Sequence, residues 1–274
     1  MQAIILCGGQ GTRLKEETEY KPKPMVKIGN APILWHIMQI YAGYGFTEFV
    51  LALGFKGESI RDFFLNYEFY NNDFTIRLGK HKDIKIHENS DGEPDWKITL
   101  AETGENTMTG SRVKLCERHI NGKYFFVTYG DGLADVDLEK LLKFHKAHGK
   151  IATLTGVNPP SRWGEVAVDG NRAVKFTEKP AASEGDHCVN GGFFVFSREA
   201  FKYFSSDGGC VLEADALREL ADDGELMVFR HDGFWQGMDT YRDYLALNKI
   251  WDSGNPAWIR PRKSAKFELS SAKK

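Results

Sequence analysis

Cysteine is scarce in this chain: four among 274 residues, and Cys7, Cys116, Cys188 and Cys210 form no CxxC pair. That excludes a disulfide framework or a zinc-ribbon spacing and points to a reduced, cytoplasmic setting. Long apolar runs are missing too, since none approaches the roughly eighteen residues that cross a bilayer, so no membrane association is expected. The apolar start at residues 3–7 has no basic leader and reads as a buried strand rather than a signal peptide. Nor is there an excess of either charge. The 36 basic and 38 acidic residues leave a formal net charge of -2, which argues against a nucleic-acid binder. No internal repeat is visible.

What is present is ordinary globular composition, 42% hydrophobic and 27% charged, enough for one large α/β domain. Strand patterns at 3–7, 49–53, 74–78, 96–102, 124–128 and 151–157 alternate with helical ones at 57–69, 111–119 and 137–148. A helix opening at Pro32 carries the stripe Ile33, Leu34, Ile37, Met38 and Tyr41, with Asn30 or Ala31 as its cap. Residues 79–95 form a polar excursion suited to a hairpin or flap. After Pro159-Pro160 short strands are expected at 166–168, 173–177 and 192–196, then helices at 198–204, 213–222 and 240–253. The expected fold is α/β: a Rossmann-like mixed, mostly parallel sheet flanked by helices, with a smaller β-rich part.

The first strand breaks into Gly8-Gly9-Gln10-Gly11-Thr12-Arg13, and Lys21-Pro22-Lys23-Pro24-Met25-Val26 follows. Glycines let backbone N–H groups approach phosphate oxygens, and the arginine and lysine neutralise phosphate charge. Leu14 occupies the third glycine slot of GxGxxG, which disfavours a dinucleotide oxidoreductase. No GK[ST] follows, which disfavours a P-loop ATPase or GTPase. A second strand runs into Tyr129-Gly130-Asp131-Gly132, and such a sheet brings both loops to one rim. Asp131 is either a turn former or an oxygen ligand for a hard divalent cation. Asp239 is either its partner or the N-cap of the helix at Thr240. His145 and His148, three apart with no third ligand nearby, read as solvent-exposed. His81 and His87 carry no metal spacing. The aromatic run at 67–70 suits core or a subunit interface.

With Gly29-Asn30-Ala31-Pro32-Ile33-Leu34, these loops resemble those of the sugar-1-phosphate nucleotidyltransferases. Further motifs narrow the resemblance to the glucose-1-phosphate cytidylyltransferases, up to about Trp258: Ile33-Leu34-Trp35-His36-Ile37-Met38, the stretch 104–112, Thr128-Tyr129-Gly130-Asp131-Gly132, Phe144-His145-Lys146-Ala147-His148-Gly149-Lys150, Glu178-Lys179-Pro180, Asn190-Gly191-Gly192-Phe193-Phe194-Val195 and Phe234-Trp235-Gln236-Gly237-Met238-Asp239-Thr240. The stretch at 104–112 is the most discriminating, because uridylyl- and thymidylyltransferases of this fold tend to carry a Pro-x-Gly-x-Ala-type segment there.

The resemblance implies transfer of a cytidylyl group from CTP to glucose 1-phosphate, giving CDP-glucose and pyrophosphate, by in-line attack without a covalent intermediate. Arg13 and Lys23 would be catalytic. The nucleotide would be bound by Leu6, Cys7, Gly8, Gly9, Gln10, Gly11, Thr12, Arg13, Lys23, Thr107, Arg112 and Gly130. Glu178, Lys179, Asn190 and Gly191 would hold the sugar phosphate, and Asp131 and Asp239 a Mg²⁺ ion. A single domain at 1–258 is implied, mainly nucleotide-binding over 1–157 and sugar-phosphate-binding over 158–258, with a tail at 259–274. A homo-oligomer, often a hexamer, and a role in dideoxyhexose synthesis for surface polysaccharide also follow from the resemblance. The alternatives are the same chemistry with UTP, dTTP or another sugar phosphate, and a non-catalytic nucleotide-sugar sensor. Loss of Asp131, Asp239 or Lys23 would mark the sensor, and all three are present. The chain departs from the family at Cys7, where alanine is common, at Ala31, where lysine is common, and at Gly237, where proline is common. It also lacks the family's tryptophan before Glu213.

Overall fold

The computed structural model describes residues 1–11, 14–79, 83–87, 94–159, 165–169, 172–177 and 187–259. From the start, β1 (Gln2–Leu6) leads through the glycine loop to the short α1 (Lys15–Thr18) and a 3₁₀ turn at Lys23–Met25. Two-residue strands β2 (Lys27–Ile28) and β3 (Ala31–Pro32) pair ahead of α2 (Ile33–Ala42), so Pro32 takes the position next to the helix that Asn30 or Ala31 was expected to fill. β4 (Glu48–Leu53) follows, then α3 (Gly57–Leu65) and α4 (Tyr67–Asn71). The single helix expected over 57–69 is therefore broken. At Asn66 the backbone leaves the helical range (φ -108°, ψ 16°), although its N–H still donates to the Asp62 carbonyl at 3.0 Å.

β5 (Asp73–Arg77) pairs antiparallel with β6 (Asp83–His87), so the excursion at 79–95 contributes one strand; its residues 80–82 and 88–93 lie outside the described residues. β7 (Lys97–Glu102), α5 (Thr109–Leu115), β8 (Tyr124–Tyr129), β9 (Gly132–Ala134) and α6 (Leu138–His148) follow. Asp137 caps α6 as expected, its carboxylate accepting from Lys140 N–H at 3.0 Å. Then come β10 (Ala152–Val157), β11 (Glu165–Asp169), β12 (Arg172–Thr177) and β13 (Val189–Ser197). A 3₁₀ segment, Arg198–Tyr203, replaces the expected α-helix. A π-helical turn, Leu212–Ala216, leads into α7 (Leu217–Asp222), and β14 (Leu226–His231), β15 (Trp235–Gly237) and α8 (Tyr241–Asp252) complete the described chain.

Seven strands build one sheet in the order β14-β10-β13-β8-β1-β4-β7. All ladders are parallel except the two made by β13, which runs against both β10 and β8. β1 is buried along its whole length, as its unbroken apolar run requires of a strand covered on both faces. Alternate residues enter opposite cores. Ala3, Ile5 and Cys7 pack with the α2 stripe of Ile33, Ile37, Met38 and Tyr41, while Ile4 and Leu6 pack with Val113, Leu212 and Phe201. Both fully buried faces fix the sheet in the middle of the molecule.

Chain order reverses beside β1: the path goes out through β4 and β7, then returns to β8 on the other side. Ligand crevices in open α/β sheets form at this kind of switch, beyond the carboxyl ends of the strands. Leu6 is in register with Tyr129, so the loops leaving β1 and β8 emerge as neighbours.

One buried histidine departs from expectation. His145 is 1% exposed rather than solvent-facing, because its side of α6 lies on β10. His145 Nδ1 and His148 Nε2 share the Thr153 hydroxyl at 2.8 and 2.7 Å. Burial, helped by neighbouring His148 and Lys146, lowers the His145 pKa to about 4. Burial does the same for His36, whose Nε2 lies 2.9 Å from the Ile28 carbonyl.

Candidate active site

The site is assembled at the rim shared by β1 and β8. A Cβ on Gly130 would fall 2.7 Å from the Leu6 carbonyl oxygen and 2.9 Å from Pro24 Cγ. Only glycine lets the two strand ends and the Pro-Lys-Pro turn converge this closely. That turn presents Lys23, a 9% exposed lysine whose ammonium lies 2.6 Å from Asp131 Oδ2 and 2.9 Å from Asp239 Oδ1. Burial pulls its pKa down, but the two carboxylates, Asp131 foremost, outweigh it and hold the pKa above the ordinary lysine value. The ammonium therefore keeps its charge at neutral pH.

Asp239 reaches this point through a short antiparallel ladder. β15 pairs with β9, Gly237 opposite Gly132, and Met238 N–H donates to the Asp131 carbonyl at 2.9 Å. The sequence left Asp239 open as a helix cap, and the structure gives that place to Thr240. Thr240 Oγ1 accepts from Asp243 N–H, and Asp243 Oδ2 accepts from the backbone N–H groups of Thr240 and Asp239 at 2.9 and 3.2 Å. This reciprocal cap secures the start of α8 and orients the backbone that carries Asp239.

On the other side of the rim, Gly9 and Gln10 are exposed, Gly8 is buried, and Gly11 packs over the stem of Lys23. Leu6 and Cys7 are buried and can offer only backbone to a ligand; burial pushes the Cys7 thiol far above its ordinary range. Thr12 and Arg13 lie outside the described residues, as do Glu178 and Lys179.

Arg112 takes a place its sequence context did not announce. It is 3% exposed, and its two terminal nitrogens donate to the carbonyls of Leu53, Gly104, Gly8 and Glu105 and to Thr103 Oγ1, at 2.7–3.1 Å. Both terminal nitrogens are engaged by oxygens of the chain itself. They tie the glycine loop to the segment after β7 from beneath, and burial lowers the guanidinium pKa. Thr107 sits in that segment, folded back against Gly104.

A cavity of about 330 Å³ opens beside the two aspartates, lined among others by Asn190, Gly191, Glu213 and Trp235. Asn190 Nδ2 donates to the Tyr129 hydroxyl at 3.1 Å, and Trp235 Nε1 donates to the Gly191 carbonyl at 2.7 Å. The Tyr129 ring slides under Gly192, whose φ is +78°; a Cβ there would stand 2.5 Å from the ring. Asp131, Asp239, Lys23, Asn190 and Gly191 are thus brought together from four separated stretches. Tyr129 and Glu213 line the cavity too; in sequence, Tyr129 has no role beyond its glycine motif, and Glu213 is marked only as the glutamate kept where the family's preceding tryptophan is lost. The signal for Tyr129 was its position directly before Gly130-Asp131. Glu213 arrives through the π-helical turn.

The rim lies at the switch point of an α/β sheet, and residues 2–253 match the family model described as nucleotidyl transferase. The chain belongs to the nucleotidyl transferase family. Within it, the chain is 44% identical over 260 residues to the glucose-1-phosphate cytidylyltransferases of Salmonella typhi and Salmonella typhimurium strain LT2, covering 94% of this chain and 98% of each relative. Among solved structures, HddC from Yersinia pseudotuberculosis superimposes with a TM-score of 0.65 at 22% identity, over 91% of this chain and 99% of that one, a likeness of fold.

Proposed function

We propose that this chain transfers a cytidylyl group from CTP to α-D-glucose 1-phosphate, giving CDP-glucose and pyrophosphate. The observation that carries this reading is the Lys23 ammonium held by Asp131 and Asp239 beside a glycine loop, in a chain 44% identical to proteins named for that reaction. An oxygen of the sugar phosphate attacks the α-phosphorus of CTP, and the bond to the β-phosphate oxygen breaks. The attacking phosphate is already ionised near neutral pH, so no general base is needed and catalysis is positioning plus charge neutralisation.

Lys23 supplies a fixed positive charge for the departing pyrophosphate, with Arg13 as its expected companion. Backbone N–H groups of the loop from Gly8 to Thr12 cradle the phosphates, with Leu6, Cys7 and Gly130 closing the rim and Thr107 on the nucleoside side. Arg112 holds the loop from below, so its charge lies under the phosphates. Asn190 and Gly191, together with Glu178 and Lys179, form the sugar-phosphate half; residues to 157 are mainly nucleotide-binding and those from 158 to 258 mainly sugar-binding.

Asp131 and Asp239 suit a Mg²⁺ ion. Their oxygens already converge on a positive centre, the Lys23 ammonium. Among the described residues no cluster of three or more His, Cys, Asp or Glu side chains forms a closed metal cage. Two carboxylates supplemented by substrate phosphates and water are the donor set magnesium favours. When bound, the ion neutralises phosphate charge.

The four free cysteines fit a reducing, cytoplasmic setting. Among the described residues no helix is long and apolar enough to cross a membrane. A homo-oligomer is supported by an apolar groove formed by Trp35, Tyr67, Trp96 and the 76% exposed Leu65, a surface suited to burial against another copy.

A pyrophosphate-release panel tests the reading. CTP with glucose 1-phosphate is expected to release pyrophosphate fastest among CTP, UTP, dTTP and GTP. Faster release with another nucleotide, or none with any, overturns it.

A further inference from the structure

The cavity beside the aspartates is lined by a third carboxylate. Glu213 is exposed to that cavity, and both its oxygens are fixed from behind. Oε1 accepts from the Tyr129 hydroxyl, and Oε2 accepts from Thr109 Oγ1 at 3.1 Å. Neither donor can easily turn away. The Tyr129 hydroxyl also accepts from Asn190, its ring packs against Phe194, and it is covered by Gly192. The Thr109 hydroxyl also accepts from Leu212 N–H at 2.9 Å. A carboxylate oxygen has two lone-pair directions, so each oxygen retains one acceptor direction after these bonds.

We propose that Glu213 is the hexose-recognising residue of this site, accepting hydrogen bonds from ring hydroxyls of the sugar phosphate, and that Tyr129 is the positioning residue that aims it. The proposal rests on the sugar-phosphate reading above and goes beyond it by naming what selects the sugar. Three features support it. The volume of about 330 Å³ falls in the range of small-ligand sites. The other two carboxylates lining it, Asp131 and Asp239, are engaged by Lys23. And the π-helical turn that presents Glu213 is an irregularity that helices commonly carry at functional sites. The contact also joins the two halves of the site, because Thr109 opens α5 directly after the segment that includes Thr107.

The test uses the full chain, CTP, glucose 1-phosphate and its 2-, 3-, 4- and 6-deoxy analogues. For the unsubstituted protein, at least one deoxy analogue should show kcat/KM reduced about 10- to 100-fold, the range for losing a hydrogen bond to a charged group. In Glu213→Gln, KM for glucose 1-phosphate should rise about 10-fold or more while KM for CTP stays within about twofold, and discrimination against that same analogue should shrink. Tyr129→Phe keeps the ring and removes the donor; it should raise KM for the sugar phosphate with kcat largely kept. Undiminished discrimination in Glu213→Gln, or a change confined to CTP, overturns the assignment. Unchanged sugar KM in Tyr129→Phe overturns the positioning role. Failure of the parent reading looks different: the unsubstituted protein itself would then release no pyrophosphate from CTP and glucose 1-phosphate.

Discussion

Lys23 and Asp131, 108 positions apart in the chain, meet at 2.6 Å on the rim between β1 and β8. The prolines on each side of Lys23 stiffen its turn, and Gly130 beside Asp131 lets the two strand ends approach. The pairing makes each residue's loss distinguishable. Asp131→Asn should lower turnover by at least about 10²-fold without unfolding, because charge alone is removed from a third-exposed side chain. Lys23→Ala should impair the chemical step or CTP affinity and leave the fold intact. Steady-state pyrophosphate release, with circular dichroism for folding, checks both; near-normal turnover in either variant removes that residue from the site.

Asp243 is the support behind Asp239. Its carboxylate accepts from two backbone N–H groups and from the Thr240 hydroxyl, so Asp243→Ala should cost about 1–2 kcal/mol of stability. Turnover should fall as well, because the backbone that presents Asp239 loses its restraint. Thermal unfolding and kinetics together read the two effects, and intact kinetics in the variant would detach the cap from the site.

Arg112 spans gaps that lysine cannot. Five hydrogen bonds from two nitrogens of a planar fork hold three separate segments. Arg112→Lys should therefore destabilise the protein by about 3 kcal/mol or more, since buried carbonyls lose their donors. It should also raise KM for the nucleotide more than for the sugar phosphate. Chemical denaturation and the two KM values measure this.

Acid should weaken the fold through His36 and His145. Both have a pKa lowered from 6.5 to about 4 by burial, so the folded state favours the neutral ring and the unfolded chain binds the proton first. Their contribution is complete above pH 6.5 and is lost as pH falls through the window down to about 4. Urea midpoints measured between pH 7 and pH 4 should fall across that window, and His145→Gln should flatten part of the slope.

The sheet was legible because its strands are written as unbroken apolar runs, as in Ile4 and Ile5 or Phe125 to Val127, and because the glycine loops interrupt them at the right ends. The Lys23–Asp131 pairing was legible as a shared rim, though not as a direct ion pair. Other features depend on contacts distant in sequence. His145 reads as exposed until α6 is laid on β10. The break at Asn66 is a departure of one residue's backbone that no periodicity records. Arg112 carries no local sign that three loops will close around it. Glu213 enters the site only through a π-helical turn, and hydrophobic patterning does not distinguish that from an α-helical one.

β13 is the strand that runs against its neighbours. Strands such as β1 and β8 supply the rim with residues as the chain leaves them, whereas β13 supplies Asn190 and Gly191 as the chain enters. His187 and Cys188, directly upstream of Val189, therefore stand at the end of β13 that meets this rim. On the proposed reading, substitutions at these two positions would alter the sugar side of the site and leave the strand ends of β1 and β8 untouched.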